Sequence, residues 1–137
     1  MQVSPYLFFE GRCEEALEFY KKAVGAEVSS LMRFKDCPDP PPPGMISPGS
    51  ENKVMHAEFT VGKSKLYASD GRCSAKPVHQ GFSLSVTVAG PAEADRCFAA
   101  LADQGQVQMP LGKTFFSPRF GMLTDRFGIG WMVYVAP

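Results

Sequence analysis

The chain lacks an excess of charge of either sign: 14 Lys and Arg stand against 14 Asp and Glu in 137 residues. Duplex binding draws on released counterions and therefore on surplus cations, so nucleic acid is not an expected partner. Zero net charge also gives no pull toward an anionic membrane surface. No apolar run approaches the roughly 18 residues that a spanning helix needs. Residues Met1-Gln2-Val3-Ser4-Pro5 carry neither the basic region nor the apolar core of a secretory leader, so a cytoplasmic location is expected. The four cysteines, Cys13, Cys37, Cys73 and Cys97, include no C-x-x-C pair. They read as reduced thiols rather than a disulfide framework or zinc site, and none has a near-sequence partner for nucleophilic catalysis. There is no P-loop, nucleophile elbow, Ser-His-Asp order or H-E-x-x-H. No G-x-G-x-x-G follows a strand, so no nucleotide cofactor is expected, and none of another kind.

What the chain does contain is a repeat. Tyr6 to Val28 (YLFFEGRCEEALEFYKKAVGAEV) and Leu84 to Val107 (LSVTVAGPAEADRCFAALADQGQV) each read as alternating strand, Gly-containing turn, amphipathic helix and Gly exit into a strand. The offset is about 78 to 80 residues. The pattern predicts strands at Val3–Phe9, Val28–Phe34, Lys53–Val61 and Ser64–Ser69, with a helix at Glu14–Val24 that turns Ala16, Leu17, Tyr20, Ala23 and Val24 inward. A Glu18–Lys22 pair supports that helix and Gly25 caps it. The second copy predicts strands at Phe82–Val88, Val107–Leu111, Phe120–Thr124 and Ile129–Val135. Its helix, Ala92–Asp103, turns Ala94, Cys97, Phe98 and Leu101 inward, follows Gly90-Pro91 and closes at Gly105. Between the second and third strands lies a Pro-rich loop at 36–52, either a lid or partner-binding segment or a variable hairpin connection. The order is βαβββ twice, an α+β fold. It implies a single domain, 1–137, of two modules (about 1–75 and 76–137) with a cleft between them for a small molecule.

This duplicated order, carried by PYLFFEGRCEEALEFY, by VMHAEF followed by KLYASD, and by DRFGIGWMV, resembles the vicinal oxygen chelate superfamily. That group includes glyoxalase I, bleomycin-resistance proteins, fosfomycin-resistance enzymes and extradiol dioxygenases. Within it the chain is similar to the PhnB-like branch. The resemblance implies paired modules with curved mixed sheets around a pocket, and a homodimer. The branch has been labelled a ubiquinone-pathway methyltransferase, which the missing dinucleotide-type motif does not support.

Metal-dependent members of the superfamily hold a divalent ion with one His or Glu from each of four strands. Those positions align here with Pro5, Tyr67, Gly81 and Met132, none a good ligand for a hard cation. No metal site is therefore expected. Strand alternation then assigns Pro5, Leu7 and Phe9, Gly81, Ser83 and Ser85, and Gly130, Met132 and Tyr134 to the pocket. Phe82, Leu84, Val86, Trp131, Val133 and Val135 are assigned to the helix side. The expected pocket-binding set is Leu7, Phe9, Tyr67, Asp70, Ser83, Ser85, Phe116, Met132 and Tyr134, with a small organic ligand.

His56 and Glu58 share a strand face and form the candidate catalytic pair; the alternative is a half-buried polar pair at a sheet edge. His79 is either a displaced ligand or a loop histidine. Asp70 either orients a ligand or serves the turn before Gly71. Asp125 reads as a turn residue and Trp131 as core. Phe115, Phe116 and Phe120, with Arg119, either stack on a planar ligand, or cover the sheet's open end or pack against a partner chain, and Lys113 and Arg119 are candidates for an anionic group. Three functions stay open. The first is a metal-independent small-molecule-binding protein. The second is a lyase, isomerase or dioxygenase-type enzyme with an altered site around His56, Glu58 and His79. The third is an interaction module recruiting a partner through the proline loop.

Overall fold

A computed structural model describes residues 1–137, which divide into two compact units, Met1–Pro77 and Val78–Pro137. The first unit runs β1 (Tyr6–Phe8), α1 (Cys13–Val24), β2 (Glu27–Arg33), a 3₁₀ turn (Phe34–Asp36), β3 (Val54–Val61) and β4 (Ser64–Ser69). Its strands form one sheet in the order β1-β4-β3-β2. β1 runs parallel to β4, and the other pairs are antiparallel.

α1 forms because its apolar residues recur on one stripe: Cys13, Ala16, Leu17, Tyr20 and Ala23 are buried, whereas Val24 is only half-buried. Glu14 and Glu15 lie in its first turn and Lys21 and Lys22 in its last, the arrangement that suits the helix dipole. The i,i+4 pair expected with Lys22 does not form; Glu18 pairs instead with Lys21 at 2.7 Å. Gly25 ends the helix at φ 69°, a left-handed conformation that glycine adopts without a Cβ penalty. The stripe covers one face of the sheet. The Tyr20 ring stacks on Phe59 at 6.3 Å and tilts against Phe9 at 6.2 Å. Leu7, Phe9, Ala57, Leu66 and Ala68 fill the same layer. Each fully buried large apolar side chain contributes about 1.5–3 kcal/mol relative to exposure.

The second unit repeats the plan with β5 (Leu84–Val88), α2 (Pro91–Ala102), β6 (Gln106–Gly112), β7 (Phe120–Thr124) and β8 (Gly130–Val135). The sheet order is β5-β8-β7-β6, with β5 and β8 parallel. Pro91 occupies the first turn of α2, where its missing N–H costs nothing. Ala94, Cys97, Phe98 and Leu101 face Leu123, Trp131, Val133 and Val135 across the core. Pro110 is tolerated because β6 is an edge strand. β1 and β5 start later than the alternation suggests. Phe82 therefore precedes β5 and is exposed, not packed under α2.

Residues 37–53 run as turns and bends, and they are tied to the connector after β4. Ser47 N–H donates to the Arg72 carbonyl at 3.1 Å, and its hydroxyl donates to the Cys73 carbonyl at 2.9 Å. Ser50 is buried at the loop's end.

Gly105 does not cap α2, which stops at Ala102. It is needed instead for close packing, since a Cβ there would sit 2.2 Å from the Thr124 carbonyl oxygen. Gly105→Ala is expected to destabilise the protein by about 2–3 kcal/mol in urea denaturation, against about 1 kcal/mol for Gly25→Ala, whose Cβ would meet open space.

Candidate functional site

Each sheet carries one helix on one face, and strand pairing decides what the other face displays. In the first sheet Tyr6 pairs with Tyr67, Glu58 with Tyr67, and Met32 with His56, so these side chains share the face away from α1. Phe8 joins them. Tyr6 and Phe8 are stacked at 4.9 Å, Tyr6 and Tyr67 at 5.8 Å, and His56 and Tyr67 at 5.6 Å. Tyr6 and Phe8 are exposed, while His56, Glu58 and Tyr67 are half-buried.

A polar array runs beside the rings. The Tyr6 hydroxyl lies 2.7 Å from His56 Nδ1. His56 Nε2 is 3.8 Å from Glu58 Oε1, and Lys65 Nζ is 3.7 Å from Glu58 Oε2. The carboxylate beside Nε2 favours the proton on that nitrogen, which leaves Nδ1 to accept from the Tyr6 O–H. Partial burial holds the Tyr6 phenol above its ordinary range, so it stays protonated and able to donate.

This face corrects the reading of β1. Leu7 and Phe9 do not line it; they are almost fully buried under α1. On this strand Tyr6 and Phe8, not Leu7 and Phe9, lie on the face away from α1. A flanking pair of apolar side chains on each face, Tyr6 and Phe8 against Leu7 and Phe9, gives alternation no polar residue to mark the outside. Only contact with α1 separates the two pairs.

Asp70 is also corrected. It is buried, and both its oxygens are engaged by the backbone. Oδ1 accepts from Gly11 N–H at 2.9 Å and Cys13 N–H at 2.7 Å, and Oδ2 accepts from Val54 N–H at 2.7 Å. It joins the end of β4 to the start of α1 and the start of β3, so its oxygens serve the backbone junction. Asp125 plays a comparable part in the second unit. It accepts from Phe127 N–H, Ile129 N–H and Trp131 Nε1–H at 2.9, 3.0 and 2.9 Å, and Trp131 is core.

In the second unit, Ser85 pairs with Met132, and Phe120 with Tyr134, on the face away from α2. The Phe116 ring stacks on Tyr134 at 6.4 Å and meets Phe120 edge-on at 5.0 Å. Ser83 precedes β5, with its hydroxyl against Gly130. Arg119 is ion-paired with Asp95 at 2.6 Å, which accounts for its charge within the protein. His79, half-buried before β5, meets Phe82 edge-on at 6.4 Å.

The donor set does not fit the superfamily's divalent ion. Pro5, Tyr67, Gly81 and Met132, the positions the resemblance assigns, supply neither imidazole nor carboxylate. No group of three or more His, Cys, Asp or Glu side chains is placed to hold a metal. A recess of about 400 Å³ lies elsewhere, beside the start of α1. Its charges answer one another: Arg33 pairs with Glu14 at 2.7 Å, Arg12 with Glu15, and Lys53 Nζ donates to the Gly11 carbonyl. The Arg33 hydrogen bond holds the Glu14 carboxyl below its ordinary range. This internally paired recess is a poorer ligand site than the aromatic face, whose rings lie on the side of the sheet away from α1.

Comparison with known proteins agrees with this architecture. A family model described as 3-demethylubiquinone-9 3-methyltransferase matches residues 1–134. The chain belongs to the PhnB-like branch of the vicinal oxygen chelate superfamily. Within this PhnB-like family, Protein YjdN of Escherichia coli (strain K12) is 33% identical over 98% of this chain and 95% of its own. Protein PA1353 from Pseudomonas aeruginosa is 43% identical with a TM-score of 0.84, covering 99% of this chain and 98% of that one. A PhnB protein from Bacillus cereus is 32% identical with a TM-score of 0.76, covering 99% of this chain and 100% of that one. The fosfomycin resistance protein FosX from Listeria monocytogenes shares the fold, at 9% identity and a TM-score of 0.66. The PhnB-like chain thus has the α+β glyoxalase/bleomycin-resistance fold. No helix is long and apolar enough to cross a membrane.

Two outcomes follow for the Asp70 junction. Asp70→Ala leaves three backbone donors without their acceptor and is expected to cost about 3–5 kcal/mol in urea denaturation, with Asp70→Asn costing less. Cys13 is fully buried, and burial, then Asp70 and Glu14, push its thiol far above the ordinary range. Its folded-state pKa is raised, so its contribution to stability is present below the unfolded value of about 8.5 and is lost as pH rises beyond it. Alkaline denaturation curves should therefore be shallower for Cys13→Ala, and native alkylation should modify Cys37 and Cys73 before Cys13.

Proposed function

We propose that this PhnB-like protein is a metal-independent binder of a small planar organic ligand, received on the open face of its first sheet. The observation that carries the reading is the row of Tyr6, Phe8, Tyr67 and His56 rings, stacked on one another on the sheet face opposite α1. Stacked aromatic rings standing beside donors and an acceptor are what a planar organic molecule binds. The unsuitable donor set at the superfamily's ligand positions supports metal independence. The repeated topology supports action of residues 1–137 as one domain of two modules, and the family resemblance supports a cytoplasmic homodimer.

A second reading, an enzyme moving a proton, is favoured by the 2.7 Å contact between Tyr6 and His56 with Glu58 beyond. In it His56 is the acid–base group, Tyr6 and Glu58 hold its tautomer, and no metal takes part.

Elemental analysis and native mass spectrometry of the purified protein should show a dimer with no stoichiometric metal. One metal per chain would overturn metal independence. Phe8→Ala and Tyr67→Ala should each weaken binding of a bicyclic aromatic probe about five- to tenfold, read by NMR titration.

A further inference from the structure

We infer that the open face of the first sheet recognises a hydroxyl group on its planar ligand, read jointly by His56 and Glu58, with Tyr6 as the positioning residue. This rests on the binding reading above and adds the functional group that the ligand must carry.

His56 and Glu58 are separated by one residue on β3, so both side chains rise from the same face. The Tyr6 hydroxyl lies 2.7 Å from His56 Nδ1; in the tautomer that lets Nδ1 accept from it, the Nε2–H faces Glu58. The 3.8 Å between Nε2 and Oε1 is too long for a direct hydrogen bond. One donor and one acceptor therefore stand side by side, neither satisfying the other, and both side chains are 31% exposed.

The complement of such a pair is a single oxygen that accepts from Nε2–H and donates to the carboxylate. An oxygen about 2.8 Å from each closes a triangle with the observed separation. A carbonyl or ether oxygen meets the donor but sets its lone pairs against Glu58. An ammonium meets Glu58 but sets its hydrogens against Nε2–H, and Lys65 already answers the carboxylate's other oxygen at 3.7 Å. A hydroxyl satisfies both. Because the rings of Tyr6 and Tyr67 flank the imidazole, the hydroxyl is one carried at the edge of a flat ring.

The test is a titration of the full chain with 2-naphthol and with 2-methoxynaphthalene, followed by amide NMR. Both probes are expected to shift amides of β1, β3 and β4, and 2-naphthol is expected to bind about tenfold more tightly. That ratio should fall toward one in His56→Phe and in Glu58→Leu. In Tyr6→Phe the ratio should also fall, and the His56 ring nitrogens should pass from a fixed Nε2–H pattern to tautomer exchange. Equal affinities in the wild type, a ratio that survives both substitutions, or a wild-type His56 protonated at Nδ1 alone would overturn the hydroxyl inference while leaving ring binding intact. If neither probe shifts the first sheet, the binding reading itself fails. The wild-type ratio and ring-nitrogen signals decide the matter even where a variant does not fold.

Discussion

The first unit depends on one buried carboxylate. Asp70 takes three backbone N–H groups from three segments: the turn before α1, the first residue of α1, and the first residue of β3. Burying a charge is costly unless its hydrogen bonds are complete, and here the donors come from backbone that would otherwise be unsatisfied at a helix start and a strand start. The junction sets where α1 crosses the sheet, and so which face of each strand is covered. It also sets β3 against β4, which brings His56 beside Tyr67.

One helix for each four-stranded sheet is the next constraint. A sheet with a single covered face must divide its alternating side chains between core and open face. In both units the covered face is filled by Ala, Leu, Val, Phe and Cys from helix and strands. The open faces differ. The first carries stacked rings with an imidazole, a carboxylate and an ammonium. The second carries Ser85, Met132, Tyr134 and Phe116, with no ionisable pair beside them. One topology thus supplies two surfaces of different chemistry, as expected when a repeated scaffold varies only in the residues that packing leaves free.

The uncovered aromatic row has an energetic meaning. Rings packed side by side shield part of one another, so Tyr6, Phe8 and Tyr67 expose less apolar area than their number suggests. What remains is edge and face area next to fixed polar groups. Strand pairing and the Tyr6–His56 hydrogen bond hold these side chains in place, so the proposed ligand would order little that is not already ordered.

Most of the architecture was legible in the sequence. The 3.6-residue stripe of Ala16, Leu17 and Tyr20, the Gly25 exit, the Gly90-Pro91 entry and the strand alternation are local signals, and local signals survive without tertiary context. The sequence by itself determined the βαβββ repeat, the helix faces and the pairing of His56 with Glu58 on one side of β3. Only the tertiary structure decided the parity of β1, because Tyr6, Leu7, Phe8 and Phe9 are all apolar or aromatic and only contact with α1 distinguishes them. Tertiary structure likewise decided that Asp70 is a backbone clamp and that Tyr6 meets His56, 50 positions away. Hydrogen bonds between residues so far apart depend on how strands are paired, and pairing is a property of the folded sheet rather than of any stretch of sequence.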